Sequence, residues 1–426
     1  MLEKIKELFD DKSVNEEKRK RLSLIFMLLL LMIVLFSGII VGSHYRQQEE
    51  ERKVQTSLGD MLVWYTNDSL TPYMEYVAED YEEKTGMHVI VKKVAPADYL
   101  EQIYAASVSE DVSTPDVYIT TNDCLEQAYL SGLATEEYLI LSTEEFSESA
   151  LCAVTYKGKK IASPLYFDTS LLFYNKKYVE TPPETMDGLL AFSENFEDLE
   201  GVENILKWDC TNGFRDYFFA GDYLELAGED GDDSTKLDVT SDNLVQAMTY
   251  FQSMNDFFSI DTDSISEEQV LSEFIAGKTV FVFGDTSYIP ALAKSDMESY
   301  GAALLPMLND TLKSRGIAVT DVAVVNGFSQ KQEAAAKFVH ALTVDYAAAL
   351  YGLTEKVPAC IKAKPSIEEC RVAQEQYAAC RQLPKLMNLG DFWVQLEITM
   401  TDIWKGAEVA PRLEELKKQM ENRLAE

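Results

Sequence analysis

The chain has 426 residues, a length that predicts two to three domains at roughly 150 residues each. Hydrophobic residues make up 46% and charged residues 26%, which excludes a low-complexity or collagen-like chain. Lys and Arg number 38 against 72 Asp and Glu, a net charge of −34 that repels phosphate backbones and excludes nucleic acid as the expected partner.

The first 21 residues carry both signs of charge and read as a cytoplasmic tail. Residues 22–42 form an uncharged apolar run, long enough at ~1.5 Å per residue to span a hydrocarbon core of ~30 Å. Lys18-Arg19-Lys20-Arg21 precedes the run and Glu49-Glu50-Glu51 follows it, so the positive-inside rule places the N-terminus in the cytoplasm and the rest outside the cell. Small residues at Val41-Gly42-Ser43 offer a peptidase site, but the long, partly acidic leader and the length of the run favour an uncleaved single-pass anchor. Cys does not follow the run, so lipoprotein processing is not indicated. Residues 43–57 are polar, without an apolar period, and read as a linker.

From residue 58 onward, short β-rich runs alternate with helical periods. The pattern predicts a strand over 61–65. A helix follows from Pro72, with apolar positions at Met74, Val77, Ala78 and Tyr81, and stops at Gly86. Strands over 89–91 and 116–120 alternate with helices over 99–108 and 123–131. That β-α-β-α-β order predicts a parallel sheet covered by helices on both faces. Further on come a strand over 171–175, a helix over 186–193 and a polar exposed loop over 228–234. Helices over 244–257 and 267–276, a buried strand over 279–283 and strands over 302–305 and 322–325 follow. Beyond Gln330 the chain reads as helices over 333–342, 346–351, 367–383, 392–404 and 411–423.

Several chemistries lack their signatures. The six cysteines form no C-x-x-C pair. Cys370 and Cys380 lie ~15 Å apart along one predicted helix, so a disulfide there requires Cys360, and a reduced, buried set fits equally. Gly277-Lys278-Thr279 lacks the earlier glycine of a phosphate-binding loop and reads as a helix stop. The alternating acids Asp230, Asp232 and Asp238 lack the glycine and glutamate of a calcium loop. With three histidines, no H-E-x-x-H and no G-x-S-x-G, metalloprotease and serine-hydrolase sites are not signalled. Two facing carboxylates suffice for a glycosidase, so a surface glycosidase or other hydrolase stays open as the enzymatic alternative.

One stretch is more specific. Tyr156-Lys-Gly-Lys-Lys-Ile-Ala-Ser-Pro164 leads into Leu171-Leu-Phe-Tyr-Asn-Lys176 and then Thr181-Pro-Pro-Glu-Thr-Met-Asp187. This series resembles the family-1 extracellular solute-binding proteins of ABC importers, the maltose-binding-protein-like group, with Met186 where Trp is usual. Tyr81-Glu-Glu-Lys-Thr-Gly86, Pro115-Asp-Val117, Tyr129-Leu-Ser-Gly-Leu133 and Phe274-Ile-Ala-Gly-Lys-Thr279 match further family segments in order. The resemblance implies an α/β, two-lobed periplasmic-binding-protein-like fold with a hinge. One lobe would span about 58–165 plus 320–362, the other about 168–316 plus 366–426.

It also implies a ligand cleft. Ligands in such sheets bind beyond the carboxyl ends of the strands. Similarity to the group puts Asn67, Asp68, Asp123 and Asp168 at ligand-facing positions. It puts Asn212, Phe214 and Arg215 in a second-lobe loop, Tyr288 or its neighbour Ser287 after the 279–283 strand, and Trp393 on the cleft near the C-terminus. Asp and Asn accept paired hydrogen bonds from vicinal hydroxyls, and an aromatic face stacks on a sugar ring. Each has a plainer reading: Asp123 as a helix cap, Asp68 and Asp168 as solvated turn residues, Trp393 as core. Trp64 and Trp208 read as core. Thr120 and Ser287 stand where maltose binders carry stacking Trp, so a long maltodextrin is not implied. The expectation is a membrane-anchored extracellular receptor. It would capture a small carbohydrate by hinge closure and present it to ABC permease subunits without a cofactor, metal or catalysis. A sensory or structural ectodomain is the other alternative.

Overall fold

The computed structural model describes residues 59–109, 114–196, 200–297 and 299–424. The predicted tail, anchor and linker lie outside them, and among the described residues no helix is long and apolar enough to cross a membrane.

Alternation of side chains along each strand sends successive residues to opposite faces of a sheet, and the cores follow that period. Met61, Val63 and Tyr65 join Val117, Ile119, Ala323 and Val325 in one apolar core. Leu62, Trp64, Tyr118, Val322 and Val324 join another on the opposite face. The second half of the molecule repeats the scheme. Leu172, Tyr174, Phe281 and Phe283 enter the largest core, while Leu171, Phe173 and Val282 enter a fourth. These central strands are apolar on both faces, as expected of a sheet covered on both sides.

Along its main path, the larger sheet among the described residues runs Val89–Lys93, Met61–Tyr65, Val117–Thr121, Ile317–Val325, Ser163–Asn175, Thr279–Asp285, Asn204–Lys207. Met61–Tyr65 pairs in parallel with both neighbours. The sheet as a whole is mixed, because Ile317–Val325 runs antiparallel to Val117–Thr121 and to Ser163–Asn175. Ser163–Asn175 is one strand of 13 residues. Its first part pairs with Ile317–Val325 and its second with Thr279–Asp285, so it crosses from one half of the molecule to the other. Sequence periodicity finds only its apolar end, since Ser163, Pro164, Asp168 and Thr169 interrupt the pattern. Pro164 stands opposite Val322, just where the register shifts, and an irregularity there accommodates a residue that cannot donate to the ladder.

Helices fall close to their predicted ranges in most cases. Thr71–Thr85 carries Pro72 in its first turn and ends at Gly86 with φ 74°, the left-handed stop that glycine allows without penalty. Tyr99–Val108 matches its predicted span. The helix predicted over 367–383 ends at Ala379, and Arg381–Gln382 then pairs in parallel with Ile317–Ala318. All six cysteines are free; Cys210, Cys360, Cys370 and Cys380 are buried.

The predicted exposed loop over 228–234 is instead docked at its centre. Gly231 and Asp232 are buried, and the Gly231 carbonyl accepts from the Lys385 amide at 2.7 Å. Gly231 adopts φ +67°, and a Cβ there would meet Pro384 Cα at 3.2 Å, so this close approach depends on glycine. Lys385, fully buried, donates to the Asp230 carbonyl at 2.5 Å.

Candidate ligand-binding site

The carboxyl ends of two strands carry three candidate residues of the first half. After Met61–Tyr65 the chain turns through Asn67, whose Oδ1 accepts from the Ser69 amide at 3.0 Å and the Ser69 hydroxyl at 2.9 Å. Its Nδ2 donates to the Tyr166 hydroxyl at 3.2 Å. Asn67 is thereby held at the sheet edge by both ends of its amide. Asp68 points to solvent, with its side chain 81% exposed, and pairs with Lys93. After Val117–Thr121 comes the short turn Asn122–Cys124. Here the buried member is Asn122, which accepts from the Thr320 amide at 3.0 Å and donates to the Leu383 carbonyl at 2.8 Å. Asp123 is exposed, and the turn's N-cap is Thr121, without a side-chain cap, so Asp123 is not spent on capping.

Asp168 lies midway along the crossing strand. Its Oδ1 accepts from the Thr286 amide at 3.1 Å and the Thr286 hydroxyl at 2.7 Å, tying that strand to the end of Thr279–Asp285. Burial pushes its carboxyl up from the usual range, and the neighbouring Asp285 charge adds to this.

The residue that gathers the site is Asp321, which the sequence reading did not single out. It sits in Ile317–Val325 opposite Thr121 and Tyr166, beside the register shift. Burial pushes its carboxyl up to about 7, and the charges of Asp123 and Asp168 act in the same direction. A hydrogen bond from Tyr166 and the charge of Lys356 oppose them. The charges of Asp123 and Asp168 thus both act on Asp321, although Asp123 comes from the turn after one strand and the other two from the interiors of two more. A cavity of about 200 Å³ opens there, lined by Asn67, Pro96, Tyr99, Thr120, Cys124 and Asp321 among others. The available signal was a lone acid within the apolar run Ile317-Ala-Val-Thr-Asp-Val-Ala-Val-Val325, since an unpaired charge in a buried strand is costly.

The second half places its candidates differently from expectation. Asn212, Phe214 and Arg215 belong not to a loop but to the start of the helix Gly213–Ala220. Asn212 is its N-cap, accepting from the Phe214 and Arg215 amides at 3.0 and 3.3 Å. Arg215 is buried, with all three guanidinium nitrogens engaged. Nε donates to Glu267 at 2.7 Å, Nη1 to the Ser170 hydroxyl at 3.3 Å, and Nη2 to Asp285. The guanidinium is committed to the protein's own carboxylates and is not free for an anionic ligand. Burial alone would push the Asp285 carboxyl up, but Arg215 and the Ser287 donors outweigh that and hold it below the usual range. Tyr288 is 3% exposed and gives its hydroxyl to Glu267 at 2.8 Å; its exposed neighbour is Ser287. Trp393 and Phe214 are partly buried against the largest core. The Trp393 ring centroid lies 6.0 Å from Tyr217 and 5.3 Å from Phe392, leaving part of the indole uncovered. Trp64 and Trp208 are core residues.

These groups can accept hydrogen bonds and offer apolar faces. Among the described residues no group of three His, Cys, Asp or Glu is placed to hold a metal ion.

Comparison with known proteins identifies the family and the fold. The family model for bacterial extracellular solute-binding proteins matches residues 76–368. The chain is 23% identical over 355 residues to the maltodextrin-binding protein MdxE of Bacillus subtilis, covering 78% of this chain and 82% of that protein. It is 23% identical over 361 residues to a maltooligosaccharide ABC transporter solute-binding lipoprotein of Streptococcus pneumoniae, covering 81% of this chain and 84% of that one. Among solved structures, an extracellular solute-binding protein from Staphylococcus aureus in complex with maltose superposes with a TM-score of 0.78 at 20% identity. That match covers 87% of this chain and 99% of the other. A cyclo/maltodextrin-binding protein complexed with maltotetraose gives a TM-score of 0.75 at 19% identity, covering 87% of this chain and 98% of the other. The chain belongs to the bacterial extracellular solute-binding protein family, and its fold is periplasmic-binding-protein-like.

Proposed function

With membership of that family as the premise, we propose that this protein is the membrane-anchored receptor of an ABC importer. It captures a small saccharide outside the cell and delivers it unchanged to the permease subunits. Two lobes, about 58–165 plus 320–362 and about 168–316 plus 366–426, close on the ligand about the crossing strand near Asp168. The single observation that carries the reading is the first-half cavity of about 200 Å³ lined by Asn67, Thr120 and Asp321, with Asp123 on the turn that follows Val117–Thr121. Trp393 and Phe214 supply the apolar faces. Carboxylates accept from vicinal hydroxyls, and a partly uncovered indole suits the apolar face of a sugar ring. The names of the relatives point the same way, towards maltooligosaccharides, while Thr120 and Ser287 at the positions of stacking Trp favour a short ligand. Residues 22–42 anchor the receptor with the N-terminus in the cytoplasm.

The test is calorimetric titration of the ectodomain with maltose and maltotriose, with chromatography of the recovered sugar. Saturable binding without turnover supports the reading. Release of shorter sugars makes the protein a hydrolase instead, and absence of binding to any saccharide overturns the proposal.

A further inference from the structure

We propose that Glu126 is a positioning residue for ligand capture, tying the turn that carries Asp123 to the helix that carries Trp393 before any ligand arrives; the inference rests on the saccharide reading of the cleft.

Residues 380–387 run between the two halves of the molecule and are bonded to both. Towards the first half, the Cys380 carbonyl accepts from Ser149 at 2.8 Å, Gln382 accepts from Thr320 at 2.7 Å, and the Leu383 carbonyl accepts from Asn122 at 2.8 Å. Towards the second half, Arg381 donates to the Gly221 carbonyl at 3.1 Å and the Lys385 amide to the Gly231 carbonyl at 2.7 Å. Met387 closes the series. Its amide donates to Glu126 Oε2 at 2.7 Å, across 261 positions of sequence.

That last bond stands where the chain needs an acceptor. Met387 opens the short helical turn Met387–Leu389, which leads directly into the helix Gly390–Trp404. The first amides of such a turn have no partner within it, and Leu386, at the N-cap, has no side chain that can accept. Glu126 supplies the acceptor from outside. Its Oε1 accepts from the Tyr156 hydroxyl at 2.9 Å, so both oxygens of the carboxylate are held. The lever arms are short. Glu126 lies three residues after Asp123, in the first turn of the helix Leu125–Leu130. Trp393 lies six residues after Met387, near the start of its own helix. By the proposed boundaries the two ends belong to opposite lobes. The bond sets the gap between the acceptor and the aromatic face in the unliganded protein, and so removes part of the ordering cost of binding.

Two substitutions break the bond from opposite ends. Glu126→Ala removes the acceptor. Met387→Pro removes the donor, and proline suits the first position of a helical turn. Leu386 already has the extended backbone, φ −81° and ψ 124°, that a residue before proline favours. Titration with maltose and maltotriose should show each variant about two- to tenfold weaker than wild type, the size of one net hydrogen bond. The double variant should be no weaker than either single, because both delete the same contact. Met387→Ala keeps the amide and should bind as wild type does. Losses that add in the double variant, or wild-type affinity in both singles, overturn the inference and leave the saccharide reading standing. Trp393 gives a second readout that needs no ligand. Of the four tryptophans, Trp64, Trp208 and Trp404 are buried and Trp393 is only partly so, so acrylamide quenching of fluorescence reports chiefly on Trp393. Quenching should steepen in Glu126→Ala and Met387→Pro and keep the wild-type slope in Met387→Ala; unchanged slopes in all three overturn the inference. If neither sugar binds the wild type, the saccharide reading falls, and the quenching slopes alone decide whether Glu126 positions Trp393.

Discussion

The Lys157 backbone amide donates to Asp232 Oδ2 at 2.5 Å across 75 positions of sequence, joining a hairpin of the first half to a loop of the second. Lys157 and Gly158 have φ 49° and 77°, the pair of positive values typical of a two-residue hairpin turn. The turn thereby aims its amide at Asp232, and the Lys157 ammonium reaches the Asp232 carbonyl. Asp232 is 8% exposed, so its removal strands a partly buried donor. Asp232→Ala is expected to destabilise the protein by about 1–3 kcal/mol. The check is thermal unfolding, with Asp233→Ala, whose side chain accepts only from Thr235 within its own loop, as the control that should lose less.

Arg215 is a structural cation in the geometry observed. Replacing it with Ala leaves Glu267 and Asp285, both only partly buried, without their shared counter-ion, a loss of about 1–3 kcal/mol. Denaturant titration of Arg215→Ala should show a stability loss of about that size. A near-wild-type midpoint combined with lost ligand affinity would restore Arg215 to the ligand's side.

Much of the scaffold was legible in the sequence because strand and helix periods are local properties. The 61–65 strand, the 99–108 helix and the glycine stop at Gly86 follow from the residues themselves. The site was less legible because its geometry depends on pairings distant in sequence. Asp321 gains its role only from lying opposite Tyr166 and Thr121. Arg215 is drawn into ion pairs only because Glu267 and Asp285 arrive from other elements. The buried core of the 228–234 loop depends on Pro384 and Lys385, 153 and 154 positions beyond Gly231. Composition there is that of a solvated loop, and only the tertiary contact reverses it.

Asp321 also predicts a pH dependence. Its carboxyl is pushed up by burial from the ordinary 3.8 to about 7. Between these values the folded state holds more protons than the unfolded one, so this group's contribution to stability falls as pH rises from about 4 to about 7 and stays low above that. Asp321→Asn removes the ionisable group. The unliganded variant should therefore melt above wild type at pH 8, with the difference shrinking towards pH 5. A constant difference across that range would mean that Asp321 does not titrate there. A more stable variant that binds less well is the usual sign of a site residue kept at a cost to stability.

Asp123, Asp168 and Trp393 are expected to separate by stability as well as by affinity. Asp123 is exposed and caps nothing, so Asp123→Ala should weaken saccharide binding roughly ten- to a hundredfold and leave the unliganded melting temperature unchanged. Asp168 holds the Thr286 amide and hydroxyl, so Asp168→Ala should weaken binding and also lower the melting temperature. Asp168→Asn preserves an acceptor for Thr286 while removing the charge. It should keep most of the stability and still lose affinity, which separates the two roles of one side chain. Trp393 packs against Tyr217 and Phe392 with part of its ring uncovered. Trp393→Ala should therefore cost about tenfold in affinity, with a smaller fall in melting temperature than truncation of the fully buried Trp208 produces. If Trp393→Ala destabilises the protein as much as Trp208→Ala and binding is spared, the ring is core alone. The apolar face of the ligand must then rest on Phe214.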